Sequence, residues 1–99
     1  MLNIIKTNKE DGLCIALEGR LDSLSSPDLE KELEESLNDV KSLTYDLEKL
    51  EYISSAGLRL MLTSQKKMNT QGDMKLINVS EEIMDILDMT GFSDILTIE

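Results

Sequence analysis

The 99-residue sequence predicts an α/β fold: one domain with a mixed sheet of four or five strands and three or four helices. Apolar residues recur at every second position in several short segments, as in half-buried strands, and at spacings of three and four between them, as in amphipathic helices. An opening pair of strand-like segments adds an antiparallel pair to strands that otherwise alternate with helices. Since residues 1–99 contain no repeat, linker or low-complexity segment, we expect a single domain.

The first two predicted strands form a hairpin. Leu2 to Thr7 mixes apolar and polar residues as an outer strand does, and Asn8 to Gly12 supplies a polar turn that ends in glycine. Leu13 to Leu17 is apolar at every position, so we expect a strand that is covered on both faces. Cys14 is the only cysteine, and its place in this run predicts a buried and unreactive thiol.

The first helix is predicted to follow the segment Gly19 to Asp22. Ser23 to Asp28 contains serines suited to capping, a proline suited to the first turn, and an acid that complements the helix dipole. Leu29, Leu33 and Leu37 are four residues apart and would form the buried stripe. The many acidic residues between them are typical of a solvated helix face rather than of an acidic docking site.

The next strand and helix meet at a pair of serines. Alternation predicts a strand over Leu43 to Leu47, and the apolar spacing from Leu58 to Gln65 predicts a helix. Ser54 and Ser55 lie between the two elements. Serine is favoured at a helix N-cap because its side-chain oxygen accepts a hydrogen bond from a first-turn N–H. On these grounds alone, a capping role and a modified or partner-contacting hydroxyl both remain open.

The start of this predicted helix is suited to a phosphate. Ala56 and Gly57 keep the first turn free of bulk, so we expect close approach by a second molecule. Tyr52 to Gly72 contains no acidic residue and three basic ones, although the whole chain has a net charge of -10. A phosphoryl group on either serine would meet the positive end of the helix dipole and no carboxylate in this segment.

The last third of the chain predicts a strand, a helix and a final short strand. The second helix is expected to end near Gly72, where glycine can adopt the left-handed cap conformation. Met74 to Val79 is strand-like, and Ser80 is placed to cap a third helix that ends at Gly91. The apolar segment Ile95 to Ile98 predicts a final strand.

Composition argues against several classes of function. Ten basic and twenty acidic residues have the wrong balance for binding nucleic acid or anionic lipid. Histidine is absent, which removes the usual general base and the commonest metal ligand. Asp22 and Asp46 could be paired as acid and base, but a turn or capping role explains Asp22 better, and a solvent-facing or capping position explains Asp46 better. One cysteine and no run of eighteen apolar residues predict a cytoplasmic protein without a membrane segment.

Several motifs occur in the order found in STAS domains of bacterial anti-sigma factor antagonists, and the sequence resembles that family over nearly its whole length. Gly19 to Asp22 matches the family's segment of glycine, polar residue, leucine and aspartate. Tyr52 to Leu58 follows a predicted strand, as the family's phosphorylation motif does, and Asp88 to Phe92 matches a segment near the end. The resemblance implies one STAS domain over residues 1–99.

The family motif runs aspartate, serine, serine or threonine, glycine, leucine, and its first hydroxyl residue accepts a phosphate. Aligned on Gly57 and Leu58, the acceptor falls on Ser55. Ser54 occupies the aspartate position and stays open as a competing acceptor, and Ala56 replaces the second hydroxyl residue. The resemblance therefore implies phosphorylation at Ser55.

The resemblance further implies a partner-switching function without catalysis by this chain. The unmodified protein would bind an anti-sigma factor that is a serine kinase and so free a sigma factor. The kinase, using its own ATP and magnesium, would phosphorylate Ser55 and cause release, and a serine phosphatase would reverse this. The implied contact surface consists of Asp22, Ser23, Ser54, Ala56, Gly57, Leu58 and Arg59.

Two other functions remain open. The chain could be a ligand-sensing or scaffolding module of a larger assembly or a transport system, in which the serines only cap the helix. An enzyme is the weakest hypothesis, because the sequence shows no general base, metal-ligand cluster or nucleotide-binding glycine loop.

Overall fold

The computed structural model describes residues 2–10 and 12–99 and confirms the predicted α/β class. Strands and helices follow one another along the chain in the order that the periodicity predicted. In chain order the elements are β1 (Leu2–Lys9), β2 (Gly12–Leu21), α1 (Ser26–Ser36), β3 (Ser42–Ile53), α2 (Ser55–Asn69), β4 (Asp73–Ile77), α3 (Glu81–Thr90) and a 3₁₀ turn (Phe92–Asp94).

The four strands form one mixed sheet in the order β1-β2-β3-β4. β1 runs antiparallel to β2, whereas β2, β3 and β4 are parallel. β3 is the longest strand, and its pairing with β4 ends at Asp46 and Ile77. Its pairing with β2 continues to Leu21 and Ile53. The carboxyl ends of β2 and β3 therefore extend together beyond β4 and place two loops side by side.

The helices pack on one face of the sheet, where alternate strand residues form the core. Leu13, Ile15 and Leu17 of β2 point into this core and are buried. Cys14 and Ala16 point to the opposite face and are only half-buried. The prediction that this strand is covered on both faces, with an enclosed Cys14, is therefore wrong. The face of the sheet without helices carries the small apolar residues Cys14 and Ala16 here, so a strand that is buried on one face has an entirely apolar sequence.

The predicted final strand is also wrong. Residues 92–94 form a 3₁₀ turn, and the segment after it makes only a single bridge between Ile98 and Leu76. Leu76 donates its N–H to the carbonyl oxygen of Thr97 and accepts from the N–H of Glu99, both at 2.9 Å. Within residues 2–10 and 12–99, the sheet thus has four strands. α3 ends at Gly91, as predicted, and this residue adopts the left-handed conformation with φ 81°.

Gly72 has a different role from the predicted left-handed cap. α2 ends with Thr70 as its C-cap, and Gly72 is not among the described residues with positive φ. A Cβ on Gly72 would overlap the carbonyl oxygen of Lys41 in the loop before β3. Gln71 joins the same two loops, because its Nε2 donates to the carbonyl oxygens of Leu37 and Val40 at 2.6 and 2.7 Å. Close contact between loops therefore requires this glycine.

Candidate functional site

The ends of β2 and β3 bring the predicted site residues to one edge of the sheet. Arg20 pairs with Tyr52 and Leu21 with Ile53 in the parallel register. Just beyond this register, the N–H of Ser54 donates to the carbonyl oxygen of Leu21 at 2.8 Å. The loop after β2 and the start of α2 are therefore directly connected. We refer to residues 20–25 and 52–59 together as the serine edge.

Ser54 is the residue that caps α2. Its backbone is extended, with φ -94° and ψ 177°, and its Oγ accepts a hydrogen bond from the N–H of Gly57 at 3.4 Å. Its carbonyl oxygen accepts the first helical bond from the N–H of Leu58 at 2.9 Å. The side chain is half-buried. Of the two serines, Ser54 thus supplies the capping function that the sequence left open between them.

Ser55 is the first residue of α2 and is exposed. Within residues 2–10 and 12–99, its hydroxyl makes no hydrogen bond to another protein group, in contrast to the hydroxyl of Ser54. It lies at the end of the helix where the partial positive charge of the dipole is concentrated. Ser55 therefore combines an accessible nucleophilic oxygen with a local field that favours an attached anion.

Gly57 and Leu58, both predicted as contact residues, are buried and face the core. A Cβ on Gly57 would lie 2.7 Å from the Cγ of Leu21 and 2.9 Å from the Cγ1 of Ile53. Leu58 is only 4% exposed. The expectation that Gly57 opens the first turn to a second molecule is therefore corrected: the glycine lets α2 approach the ends of β2 and β3. Both residues pack in the core at the start of α2 and so help to hold the serine edge in place.

Asp22, predicted as a contact residue, holds the loop after β2 in place. Its Oδ1 accepts hydrogen bonds from the N–H groups of Leu24 and Ser25 at 3.1 and 3.0 Å. These bonds, chiefly the one from the Ser25 N–H, hold the pKa of the Asp22 carboxyl below its usual value. Asp22 thus makes an internal turn, the role that its sequence context favoured over catalysis.

Ser25 and Ser26 complete this arrangement. Ser25 Oγ accepts from the N–H of Asp22 at 3.0 Å and donates to the carbonyl oxygen of Arg20 at 2.8 Å. Ser26 Oγ donates to the carbonyl oxygen of Asp22 at 2.6 Å. A serine, Ser25, occupies the N-cap position of α1 as predicted, but its side chain makes no capping bond to the helix. Its hydroxyl stabilises the loop instead.

The structure adds three residues to the serine edge that sequence reasoning did not select. Leu24 is 88% exposed, between Ser23, which is also exposed, and the buried Ser25. The guanidinium carbon of Arg20 lies 4.5 Å from the centre of the Tyr52 ring. In the sequence, the one feature that marks Leu24 is that it is an isolated apolar residue among serines. No sequence feature marks Arg20 and Tyr52, because their contact depends on the register between β2 and β3.

The basic residues of α2 lie on its exposed surface. Arg59, Lys66 and Lys67 are all exposed, and the first turn of α2 has no acidic residue. Arg59 follows Ser55 by four residues, so the two side chains share one face of the helix. In the described part of the chain, Arg59 forms no ion pair within 4.0 Å, whereas Arg20 lies 3.9 Å from Asp22. Arg59, which has no carboxylate partner among the described residues, thus lies on the same helix face as Ser55. Ala56, between them, is half-buried.

Asp46 lies outside the serine edge. Its Oδ1 accepts hydrogen bonds from the N–H of Glu48 and from Nδ2 of Asn78, both at 3.1 Å. The structure therefore does not bring Asp46 and Asp22 into one carboxylate pair. Across residues 2–10 and 12–99, no group of three or more Cys, Asp or Glu residues is arranged to hold a metal ion. Among the same residues, no helix is both long and apolar enough to span a membrane.

Comparison with known protein families identifies one family that this sequence matches. The family model of the STAS domain matches residues 3–99, which is nearly the whole sequence. The chain belongs to the STAS domain family. This STAS domain is 29% identical over 98 residues to the anti-sigma-B factor antagonist of Bacillus subtilis; the match covers 98% of this chain and 90% of that protein. The resemblance inferred from the motifs is thus confirmed.

Solved structures share the fold of this STAS domain at lower sequence identity. An anti-sigma factor antagonist from Mycobacterium paratuberculosis superposes with a TM-score of 0.90 at 16% identity, over 99% of this chain and 85% of that one. The Bacillus cell fate determinant SpoIIAA in its phosphorylated form superposes with a TM-score of 0.74 at 17% identity, over 100% of this chain and 91% of that one. These similarities establish the fold.

Proposed function

We propose that this STAS domain is an anti-sigma factor antagonist that acts by binding and is switched by phosphorylation at Ser55. The unphosphorylated form binds an anti-sigma factor that is a serine kinase, and this binding frees a sigma factor in the cytoplasm. The observation that carries the proposal is the exposed hydroxyl of Ser55 at the start of α2, beside a Ser54 that is occupied as the cap. Named relatives that are anti-sigma factor antagonists support it.

The local structure favours Ser55 over Ser54 as the phosphate acceptor. Ser54 Oγ already accepts the Gly57 N–H and its side chain is half-buried, so it is less accessible to a kinase than the exposed Ser55 hydroxyl. A phosphoryl group on Ser55 breaks no hydrogen bond of the described residues and gains the favourable dipole. Arg59, on the same face of the helix, adds a nearby positive charge. Phosphorylation of Ser55 is therefore compatible with the folded domain.

The same modification would disrupt a packed interface. Phosphoserine carries a charge of about -1.5 to -2 at neutral pH, and the group is bulky. Reversing a complex from about 99% bound to 99% free requires a difference of about 5.5 kcal/mol in binding free energy. A dianion that must lose its water inside an interface can supply a difference of this size. Phosphorylation would therefore release the kinase without unfolding the STAS domain.

The partners supply the chemistry of the cycle. The kinase brings ATP and magnesium to the Ser55 hydroxyl, which must align with the γ-phosphate. A serine phosphatase then removes the phosphate and restores binding. The phosphorylated structure of SpoIIAA, which shares this fold, supports modification of a STAS domain that stays folded. This chain needs no cofactor of its own in the proposed cycle.

Two variants of Ser55 test the switch. The probes are the purified serine kinases of the histidine-kinase-like ATPase class from the same organism. Ser55→Ala should bind one of them without being phosphorylated, and Ser55→Asp should fail to bind. Ser54→Ala is the matched control: it should still gain one phosphate by intact-mass measurement, at reduced thermal stability. Equal binding by the two Ser55 variants would contradict the switch. If the wild-type protein binds no kinase and carries no phosphate, the sensing or scaffolding module becomes the better hypothesis.

A further inference from the structure

Leu24 stands out on the serine edge because its side chain has almost no contact with the rest of the domain. It is 88% exposed, compared with 37% for Tyr52 on the same edge. Single exposed apolar side chains are common on soluble proteins, so exposure alone carries no conclusion. What distinguishes Leu24 is how firmly its backbone is held.

The loop that carries Leu24 is fixed by hydrogen bonds on both sides. The N–H of Leu24 itself donates to Oδ1 of Asp22 at 3.1 Å. The following residue, Ser25, donates its N–H to the same oxygen and bonds through Oγ to the carbonyl oxygen of Arg20. The N–H of Ser26 donates to the carbonyl oxygen of Asp22 at 2.8 Å. An apolar side chain on a preorganised loop binds a partner with little further loss of conformational entropy.

Position connects this loop to the Ser55 hydroxyl. The carbonyl oxygen of Leu21, one residue before the loop, accepts the N–H of Ser54, one residue before Ser55. Beside Leu24 lies an open depression of about 400 Å³ that extends to Leu2, Asn3 and Asp28. This space leaves room for the walls of a partner pocket around the leucine. A protein that contacts Ser55 can therefore also reach Leu24.

We infer that Leu24 is the apolar anchor of the serine edge and inserts into an apolar socket on the anti-sigma kinase. The inference rests on the proposed function and adds a division of roles to it. Leu24 supplies binding energy through burial of its side chain, whereas Ser55 controls whether binding occurs. Anchors of this kind, surrounded by residues that exclude water, dominate the affinity of many interfaces. The partner is expected to carry a pocket the size of a leucine side chain.

Leu24→Ala tests the anchor by titration calorimetry against the kinase that phosphorylates Ser55. Burying a leucine side chain accounts for roughly a ten- to hundredfold change in Kd, so we expect a loss of that size. Leu24→Met, which keeps the apolar volume, should restore most of the affinity. Met89→Ala is the matched control, because Met89 is 86% exposed at the far end of α3. Thermal unfolding of all three variants should equal that of the wild type.

The outcomes separate this inference from the proposed function. Wild-type binding together with unchanged Kd for Leu24→Ala would overturn the anchor and leave the phosphorylation switch in place. An equal loss for Leu24→Ala and Met89→Ala would also overturn it, because the effect would not be specific to the serine edge. If the wild-type protein binds none of the kinases, the proposed function fails and the anchor fails with it.

Discussion

The N–H of Ser54 and the carbonyl oxygen of Leu21 are 2.8 Å apart, and this hydrogen bond joins the start of α2 to the loop after β2. It is the first contact beyond the paired ends of two parallel strands, where loops from separate parts of the chain meet. Through it, the turn formed by Asp22 and the helix start at Ser55 are held as one rigid edge.

The turn at Asp22 should be sensitive to acid. The pKa of its carboxyl is held below the usual value by the hydrogen bonds from Ser25 and Leu24. The bonds therefore contribute stability fully above the unfolded-state pKa of about 3.9, and this contribution disappears as the pH falls through the lower folded-state pKa. Amide proton shifts of Leu24 and Ser25, followed by NMR from pH 6 to pH 2, should show a midpoint below 3.9. A midpoint at or above that value would contradict the turn.

Gly57→Ala should destabilise the domain through its core. The added Cβ would lie within 3.0 Å of carbon atoms of Leu21 and Ile53, which are themselves buried. Overpacking of this kind costs about 1–3 kcal/mol, and the better helix propensity of alanine offsets about 0.5–1 kcal/mol of it. Urea denaturation should show the net loss in free energy of unfolding.

Gly91→Ala provides the comparison for Gly57→Ala. A Cβ at Gly91 meets no atom within 4 Å, but the residue has a φ of 81°. Gly91→Ala should therefore lower the free energy of unfolding only by the cost of the left-handed backbone conformation, about 1–2 kcal/mol. Gly91→Asn should lower it less, because asparagine tolerates this conformation. If asparagine rescued position 57 as it rescues position 91, core packing would be the wrong explanation for Gly57.

Periodicity predicted the fold well because each helix and strand buries one regular stripe. It could not predict what lies opposite a glycine. Local rules predict an open first turn at Gly57 and a left-handed cap at Gly72. Each glycine is instead required by atoms distant in sequence, those of Leu21 for Gly57 and those of Lys41 for Gly72. The prediction of a strand over Ile95 to Ile98 failed because the 3₁₀ turn continues to Ile95, so the chain reaches β4 only at Ile98 and makes a single bridge there.

The serine edge was predictable in part. The order of serines and the absence of acids pointed to Ser54 and Ser55, but only the structure assigns the cap to Ser54. Asp22 was placed correctly beside them, although its carboxylate is used within its own turn. Leu24 could not be predicted, because an apolar residue in a loop can fold inwards as readily as outwards. Side-chain direction in a loop is set by hydrogen bonds that have no sequence period.

A buried hydroxyl pair under α2 should show strong energetic coupling. The Ser64 hydroxyl donates to the carbonyl oxygen of Leu60 at 2.8 Å, so it accepts from the Tyr45 hydroxyl, which lies 2.8 Å away. Burial raises the pKa of Tyr45, which therefore remains a donor at neutral pH. Ser64→Ala leaves that donor buried without a partner and should cost about 1–3 kcal/mol, whereas Tyr45→Phe should cost about 0.5–1.5 kcal/mol.

The double variant of this pair decides whether the hydrogen bond matters. With both hydroxyls removed, no buried group is left unpaired, so the loss in unfolding free energy should be smaller than the sum of the two single losses. Thermal or urea unfolding of the four proteins gives the coupling energy directly. Strict additivity would mean that the two hydroxyls do not interact in solution.

Arg59 should lower the second pKa of a phosphate on Ser55. The two residues are four positions apart on the exposed face of α2, and the described residues provide no carboxylate within 4.0 Å of Arg59. Opposite charges at this spacing stabilise helices by about 0.2–0.5 kcal/mol, and 1.36 kcal/mol corresponds to one pKa unit. Protein with phosphoserine incorporated genetically at position 55 allows the measurement without a kinase. A ³¹P NMR titration should then give a phosphate pKa that rises by a few tenths in Arg59→Gln.

The control for Arg59→Gln is Lys66→Gln, which removes the same charge two turns further along the helix. It should change the phosphate pKa less, because an exposed charge at that distance is screened by solvent and salt. If the two substitutions shift the phosphate equally, the effect comes from the net charge of the helix and not from a pair between Arg59 and the phosphate.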